Sequence, residues 1–297
     1  MPAGPPQHHG ASLPGVSGRV VVVTDSTASL PDQVVRDRGI VVVPLQVVVG
    51  AELRDESRQT SQQTVADALR AFAPVSTSRP SPDAFLEAYE RVRADGADGI
   101  VSVHLSSEVS GTYDSAVLAA QQAGIPVTVV DSRQVGLATG FAVLSAAAAA
   151  ETGGSATAAA AAARRRATAI STYFYVDTLE HLRRGGRIGA AAALLGAALA
   201  VKPLLTVADG RVEPHEKVRT AGRALARIED LAVQAAGDRL VDVAVQHLGA
   251  EGRARALAAA LRSRIPHVAE LWTCEVSAVI AAHVGPGLVA VSVAPRD

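Results

Sequence analysis

The chain has 297 residues, 48% of them hydrophobic, and sets 28 basic against 29 acidic residues for a formal net charge of -1. That length can bury one large or two moderate cores, and the near balance of charge argues against a generally basic nucleic-acid-binding surface. The single cysteine, Cys274, excludes an internal disulfide and a thiolate metal cluster.

Residues 1–18 lack the charged start and apolar core of a secretory signal and read as a disordered lead-in. Residues 19–24, RVVVVT, form a continuous β-branched run that ends in Asp25-Ser26-Thr27, the pattern of a buried strand and its exit loop. Residues 40–49 repeat the strand character with Pro44 interrupting it, which predicts two short strands or one bent edge strand. A helix is expected over 60–72. Thr77 and Ser78 close a short extended piece before a helix over 83–93, for which Ser81 is the cap and Pro82 the first residue. A strand over 100–105 runs into a loop of small hydroxyl residues, and a helix follows with Ser110-Gly111-Thr112 at its start. Residues 126–130 give a further strand, then Asp131-Ser132 and a helix over 134–150.

Strands alternating with helices predict a parallel sheet, and ligands of such sheets bind at the carboxyl ends of the strands. Asp25-Ser26, Thr77-Ser78, residues 106–112 and Asp131-Ser132 all fall there. The character of the chain changes around 163–166, so an N-terminal α/β domain over 19–165 and a smaller C-terminal α/β domain over 166–297 are expected. The second unit opens with an aromatic-rich strand at 171–176, and Asp177-Thr178 caps a helix over 179–184. A helix apolar on nearly every side is expected over 190–199, and Asp209-Gly210 signals a hairpin. An amphipathic helix over 217–231, strands at 240–245, 268–276 and 288–293, and a helix over 252–264 complete it. The apolar runs at 142–163 and 190–201 are broken or short of a membrane span, so a soluble, cytoplasmic protein is expected.

Ser110-Gly111-Thr112 either caps its helix or presents free backbone N–H groups to an anion. Asp25 and Asp131 read as turn-closing residues or as acids. His283 precedes Gly285-Pro286-Gly287, whose glycines allow a tight backbone beside a ligand; the alternative is an ordinary satisfied histidine. Arg183, Arg184 and Arg187 form a basic patch suited to docking or to an anionic contact. His104, His181, His215 and His247 are not at metal-ligand spacing, so no metal site is indicated. A phosphate-handling enzyme, kinase or phosphatase, built on the strand-end Asp/Ser loops is the alternative function. No P-loop or kinase-type glycine loop supports it.

Seven segments carry a more specific signal: TDSTASLP (24–31), TSRPSP (77–82), LSSEVSGTYDSA (105–116), VDSRQVGLATG (130–140), VDTLEHLRRGGRIG (176–189), VKPLLTVADGRVEPHEKVRT (201–220) and HVGPG (283–287). In this order and spacing the chain resembles the DegV family of bacterial lipid-binding proteins, which includes the fatty-acid-binding subunits of the fatty acid kinase system. The resemblance implies two α/β domains with a lipid tunnel between them. It implies that Thr77 and Ser110 donate to the carboxylate of a long-chain fatty acid and that His283 lies beside them. Arg187 is the next candidate, with Ser78, Gly111 and Thr112 in the same loops.

It further implies a carrier with no catalytic residue and no cofactor other than the bound fatty acid. The partner would be a separate fatty acid kinase catalytic subunit that makes an acyl phosphate, with Arg183 and Arg184 as docking residues. No nucleic acid is implied, and there is room for transient membrane contact. Arg79 stands where the family often has glutamine and adds a charge near the head-group site.

Overall fold

A computed structural model describes residues 18–56, 62–194 and 202–296. The predicted lead-in therefore lies, up to residue 17, outside the described residues. The first sheet has the strand order β2-β1-β6-β7, all parallel, built from β1 (Val20–Asp25), β2 (Val41–Val43), β6 (Gly99–His104) and β7 (Val127–Asp131). Its central strands are mostly apolar because both faces are covered, with Thr24 and Asp25 on β1 and Ser102 and His104 on β6 as buried polar exceptions. One face packs α5 (Leu137–Glu151) and α6 (Ala156–Ala169), which meet through alanines that allow close approach. The other packs α3 (Pro82–Ala94) and α4 (Thr112–Ala120). The short α1 (Asp32–Asp37) follows β1 on the surface. Ser81 accepts the amide of Ala84 and Pro82 opens α3, as the sequence predicts.

Pro44 divides the 40–49 run in two, and the halves go to different sheets. Beyond it, β3 (Gln46–Val49) pairs antiparallel with β4 (Glu52–Asp55) on one side and β5 (Val75–Ser78) on the other. α2 (Gln62–Arg70) connects β4 to β5. This small sheet leaves little mark on the sequence, because β4, ELRD, is a charged edge strand with little of the apolar alternation of a half-buried one.

The second large sheet is mixed, in the order β10-β9-β8-β13-β11-β12. It contains β8 (Ser171–Tyr175), β9 (Lys202–Ala208), β10 (Arg211–Val218), β11 (Val241–His247), β12 (Val268–Glu275) and β13 (Val289–Pro295), with only β11 and β12 parallel. Asp209-Gly210 turns β9 into β10, both residues at positive φ, as a tight hairpin requires. The mixed α/β class and the parallel first sheet agree with the sequence reading.

Two elements differ from expectation. Lys217 and Val218 end β10, and the amphipathic helix α8 (Ala221–Ala236) starts later, capped by Thr220. Over 190–199 the chain forms a 3-10 turn, Gly189–Leu194, and the rest of that predicted helix lies outside the described residues.

The faces of this sheet divide the labour. Val289, Val291 and Val293 on β13, with Val243 and Val245 on β11, pack under α8 and α9 (Glu251–Arg264). The alternate residues, Ala290, Ser292 and Gln246, point the other way, toward the first sheet's strand ends. Small side chains on that second face leave space where a core would otherwise close.

Candidate functional site

That space is a cavity of about 420 Å³, within the range of ligand pockets. Its walls come from the loops after β6 and β7, the inner face of the mixed sheet, the end of β5, α7 (Glu180–Arg184) and α10 (Ala278–Val284). Most of the wall is apolar: Leu45, Leu105, Phe174, Leu182, Val276, Ile280 and Leu288 are examples. The short α10 escapes the sequence reading because AVIAAHV is only seven residues and apolar nearly all round. It is positioned by Ser277, which accepts the amide of Ile280 at 3.2 Å, and by Glu56, which accepts that of Val279 at 2.9 Å. Burial holds the Glu56 carboxyl above its ordinary range, and the Ser26 hydroxyl at 2.6 Å partly offsets this.

Thr77, Ser78, Ser110, Gly111, Arg187 and His283 all line this one cavity, and so does Arg79. Thr77 and His283 are 206 positions apart in sequence, yet Thr77 Oγ1 lies 2.8 Å from His283 Nε2. Ser110 Oγ accepts the Thr112 amide at 3.3 Å and bonds the Thr112 hydroxyl at 2.9 Å. Ser110 thus braces the start of α4 and faces the cavity as well. Thr112 itself is fully buried and does not line the cavity. At Gly111 a Cβ would fall 1.8 Å from Arg79 Nη1; the missing side chain lets the Arg79 guanidinium lie across the loop.

Arg79 and Arg187 are both exposed, so the part of the cavity they line is its mouth. Arg187 donates to Val109 O at 3.0 Å and to Gly185 O at 2.5 Å. Among the described residues neither arginine has an acidic partner within ion-pair distance, which makes the mouth favourable to an anion. Arg183 and Arg184 differ: both pair with Glu180 at 2.7 Å and hold its carboxyl down to about 2. They are exposed and do not line the cavity.

Burial, and then the charge of Arg187, push His283 down to about 4. The imidazole is therefore neutral at pH 7 and acts through hydrogen bonds rather than charge. Its Nδ1 is buried with no partner among the described residues. An unmet lone pair costs less than an unmet N–H, so the proton belongs on Nε2, donated to Thr77 Oγ1. Thr77 then keeps its own hydroxyl proton for a ligand oxygen. Between pH 6.5 and about 4 the unfolded chain binds a proton that folded His283 does not, so acidification through this window lowers stability. In an NMR titration the His283 ring resonances should stay flat from pH 8 to 5; a midpoint near 6.5 would contradict the assignment.

The glycines after His283 have other neighbours than expected. At Gly285, φ +73, a Cβ would meet the His181 ring at 2.1 Å, and at Gly287 the Asp177 carboxylate at 1.9 Å. The tight backbone therefore seats the helix against α7 rather than a ligand. Gly185, in turn, leaves room for the His283 ring, 2.2 Å from where its Cβ would stand.

Asp25 lies outside the cavity. It is fully buried; Oδ1 accepts the Thr27 amide and hydroxyl, and Oδ2 accepts His104 Nδ1 at 2.9 Å and the Leu105 amide at 3.2 Å. His104 continues to Ser102 at 2.7 Å, and Ser102 to Tyr89 at 2.8 Å. Asp131 is held by Ser107 and the Arg133 amide. With every oxygen engaged, these aspartates fix the strand-end loops instead of offering an acid. Among the described residues no group of three or more His, Cys, Asp or Glu side chains is placed to hold a metal ion, and no helix is long and apolar enough to cross a membrane.

Three polar residues of the wall were not singled out from sequence: Thr172, Gln246 and Ser292. A glutamine within the apolar run VDVAVQH was the available signal.

Residues 19–296 match the family model described as "Uncharacterised protein, DegV family". A DegV domain-containing protein of Streptomyces coelicolor is 54% identical over 281 residues, which is 95% of this chain and 100% of that one. Among solved structures, a DegV family protein from Thermus thermophilus, described by its fatty acid binding, superposes with a TM-score of 0.89 at 35% identity, over 94% of this chain and 100% of that one. DegV of Bacillus subtilis, described as a fatty acid binding protein, gives a TM-score of 0.87 at 32% identity with the same coverage.

Proposed function

The chain belongs to the DegV family, and from that membership and the form of its cavity we propose that it carries one long-chain fatty acid and presents the carboxylate to a partner kinase for acyl phosphate formation. The observation that carries this reading is an apolar cavity whose mouth gathers Thr77, Ser110, Arg187 and His283. For a chain of about 14 methylenes, burial at roughly 0.8 kcal/mol each supplies on the order of 11 kcal/mol before ordering costs. Hydrogen bonds to a carboxylate add about 1.5–3 kcal/mol each. The apolar wall therefore supplies affinity, and the mouth fixes which end faces out.

In this arrangement Thr77 and Ser110 donate to the carboxylate, and His283 orients Thr77. Ser78 and Gly111 shape the loops around it, and Thr112 acts through Ser110. Arg79 and Arg187 compensate the charge at the mouth. Arg183 and Arg184, exposed on α7 beside the mouth, are the docking residues for the kinase. Transient contact with a membrane would load and unload the acid. The protein binds the ligand without transforming it.

Thr77→Val and Ser110→Ala should each weaken fatty acid binding by roughly 10- to 100-fold, the effect of one lost bond to a charged group, in a fluorescent fatty acid displacement assay. With a fatty acid kinase catalytic subunit and ATP, wild-type protein should yield acyl phosphate and Ser110→Ala much less. Unchanged binding and turnover in both variants would leave Ser110 a mere helix brace and refute the head-group assignment.

A further inference from the structure

The inner part of the cavity is not uniformly apolar. Thr172, Gln246 and Ser292 line it and are 6%, 4% and 4% exposed, so they lie deep, in contrast to the exposed arginines of the mouth. They occupy adjacent strands of the mixed sheet: Ser292 pairs with Thr172 across β13 and β8, and Gln246 pairs with Ala290 across β11 and β13. From Leu288, just before β13, the wall continues along that strand through Ala290 to Ser292.

The hydrogen bonds of this group are incomplete. Gln246 Oε1 accepts the Leu137 amide at 2.8 Å, which fixes which end of the amide is nitrogen. The NH2 then has two protons, and its one partner among the described residues is Cys274 Sγ at 3.8 Å, a weak acceptor. Ser292 Oγ and Thr172 Oγ1 bond each other at 2.9 Å, and Thr172 reaches Gln134 Oε1 at 3.4 Å. If Thr172 donates to Gln134 and Ser292 donates to Thr172, the lone pairs of Ser292 remain open. A plain methylene chain laid against this group would bury an N–H donor and hydroxyl acceptors without partners, at a cost per group comparable to several methylenes gained.

We propose that Thr172, Gln246 and Ser292 form a second polar subsite deep in the cavity, which receives an oxygen function on the acyl chain. A hydroxyl fits best, since it can accept from the Gln246 amide and donate to Ser292. The preferred ligand class is then a long-chain fatty acid hydroxylated away from its carboxylate. This deepens the fatty-acid-carrier reading and rests on it.

The test compares, on delipidated full-length protein, the affinities of stearic acid, of mid-chain and terminal hydroxystearic acids, and of alpha-hydroxystearic acid as a head-group control. At least one of the mid-chain or terminal hydroxy acids should bind about tenfold or more tighter than stearic acid, and the alpha-hydroxy acid should not. In the near-isosteric double variant Thr172→Val/Ser292→Ala that preference should fall to within about threefold while stearic acid still binds. Stearic acid bound as tightly by the wild type as every hydroxylated form overturns this inference and leaves the carrier reading standing. Failure of every acid to bind overturns both.

Discussion

Ala290→Phe should purify with little or no bound fatty acid and bind a fluorescent fatty acid at least 100-fold more weakly than the wild type. Ala290 stands on the cavity face of β13, paired with Phe174 on one side and Gln246 on the other. A phenyl group there occupies the space that the small residues of this face leave open. The acid would forfeit a large part of the roughly 11 kcal/mol its methylenes gain, and a hundredfold loss requires only about 2.7 kcal/mol of it. The neighbouring Val289 and Val291 point to the opposite face and pack under α8 and α9, so that core is untouched. The ligand-free melting temperature should stay within a few degrees of the wild type, or rise as the ring fills a void. Lipid content equal to the wild type's, by extraction and fatty acid analysis, would show that the acid lies elsewhere.

Asp25→Ala should have the opposite profile, a large loss of stability with little direct effect on ligand affinity in the fraction that folds. The substitution strands the Leu105 and Thr27 amides, the Thr27 hydroxyl and His104 Nδ1, all in the buried loop base. Removing one partner from such a buried set costs about 3–5 kcal/mol. At about 2–4 °C per kcal/mol for a chain of this size the melting temperature should drop by roughly 6–20 °C. A variant that kept its melting point but lost a phosphate-transfer activity would instead support the enzyme reading, in which Asp25 is an acid.

How far the sequence carried the fold depended on whether each segment's neighbours left a mark on it. β1 and β6 are legible because a strand buried on both faces is mostly apolar, and their buried polar residues, Asp25, Ser102 and His104, bond one another. Ser81-Pro82 and Asp209-Gly210 were legible because a helix start and a tight turn impose local chemistry. β4 was not, since Glu52–Asp55 is an exposed edge whose strand conformation comes from its pairing with β3. The misplaced start of α8 has a similar cause. Lys217 and the β-branched Val218 are too short a run to mark a strand by themselves, and the pairing of Lys217 with Pro203 and Val218 with Lys202 makes them one.

The site follows the same rule. Ser110 and Thr77 could be marked as strand-end hydroxyls, but nothing local to HVGPG says that His283 meets Thr77. That contact needs β5 and α10 brought together in the fold, and only the order of motifs suggested it. The glycines of that motif suggest room for a ligand, whereas in the fold they make room for His181 and Asp177. The polar inner wall leaves no local mark, because a threonine or a lone serine within a strand looks like a solvent-facing position. Their meaning depends on which face of the sheet is left without a covering helix.

Whether this cavity carries a fatty acid is decided by native mass spectrometry of the freshly purified protein, followed by denaturation, extraction and fatty acid analysis. The expected result is a folded species heavier than the polypeptide by the mass of one long-chain fatty acid, released on denaturation. A protein that is free of lipid, and that also fails to take up a fluorescent fatty acid when one is supplied, would contradict it.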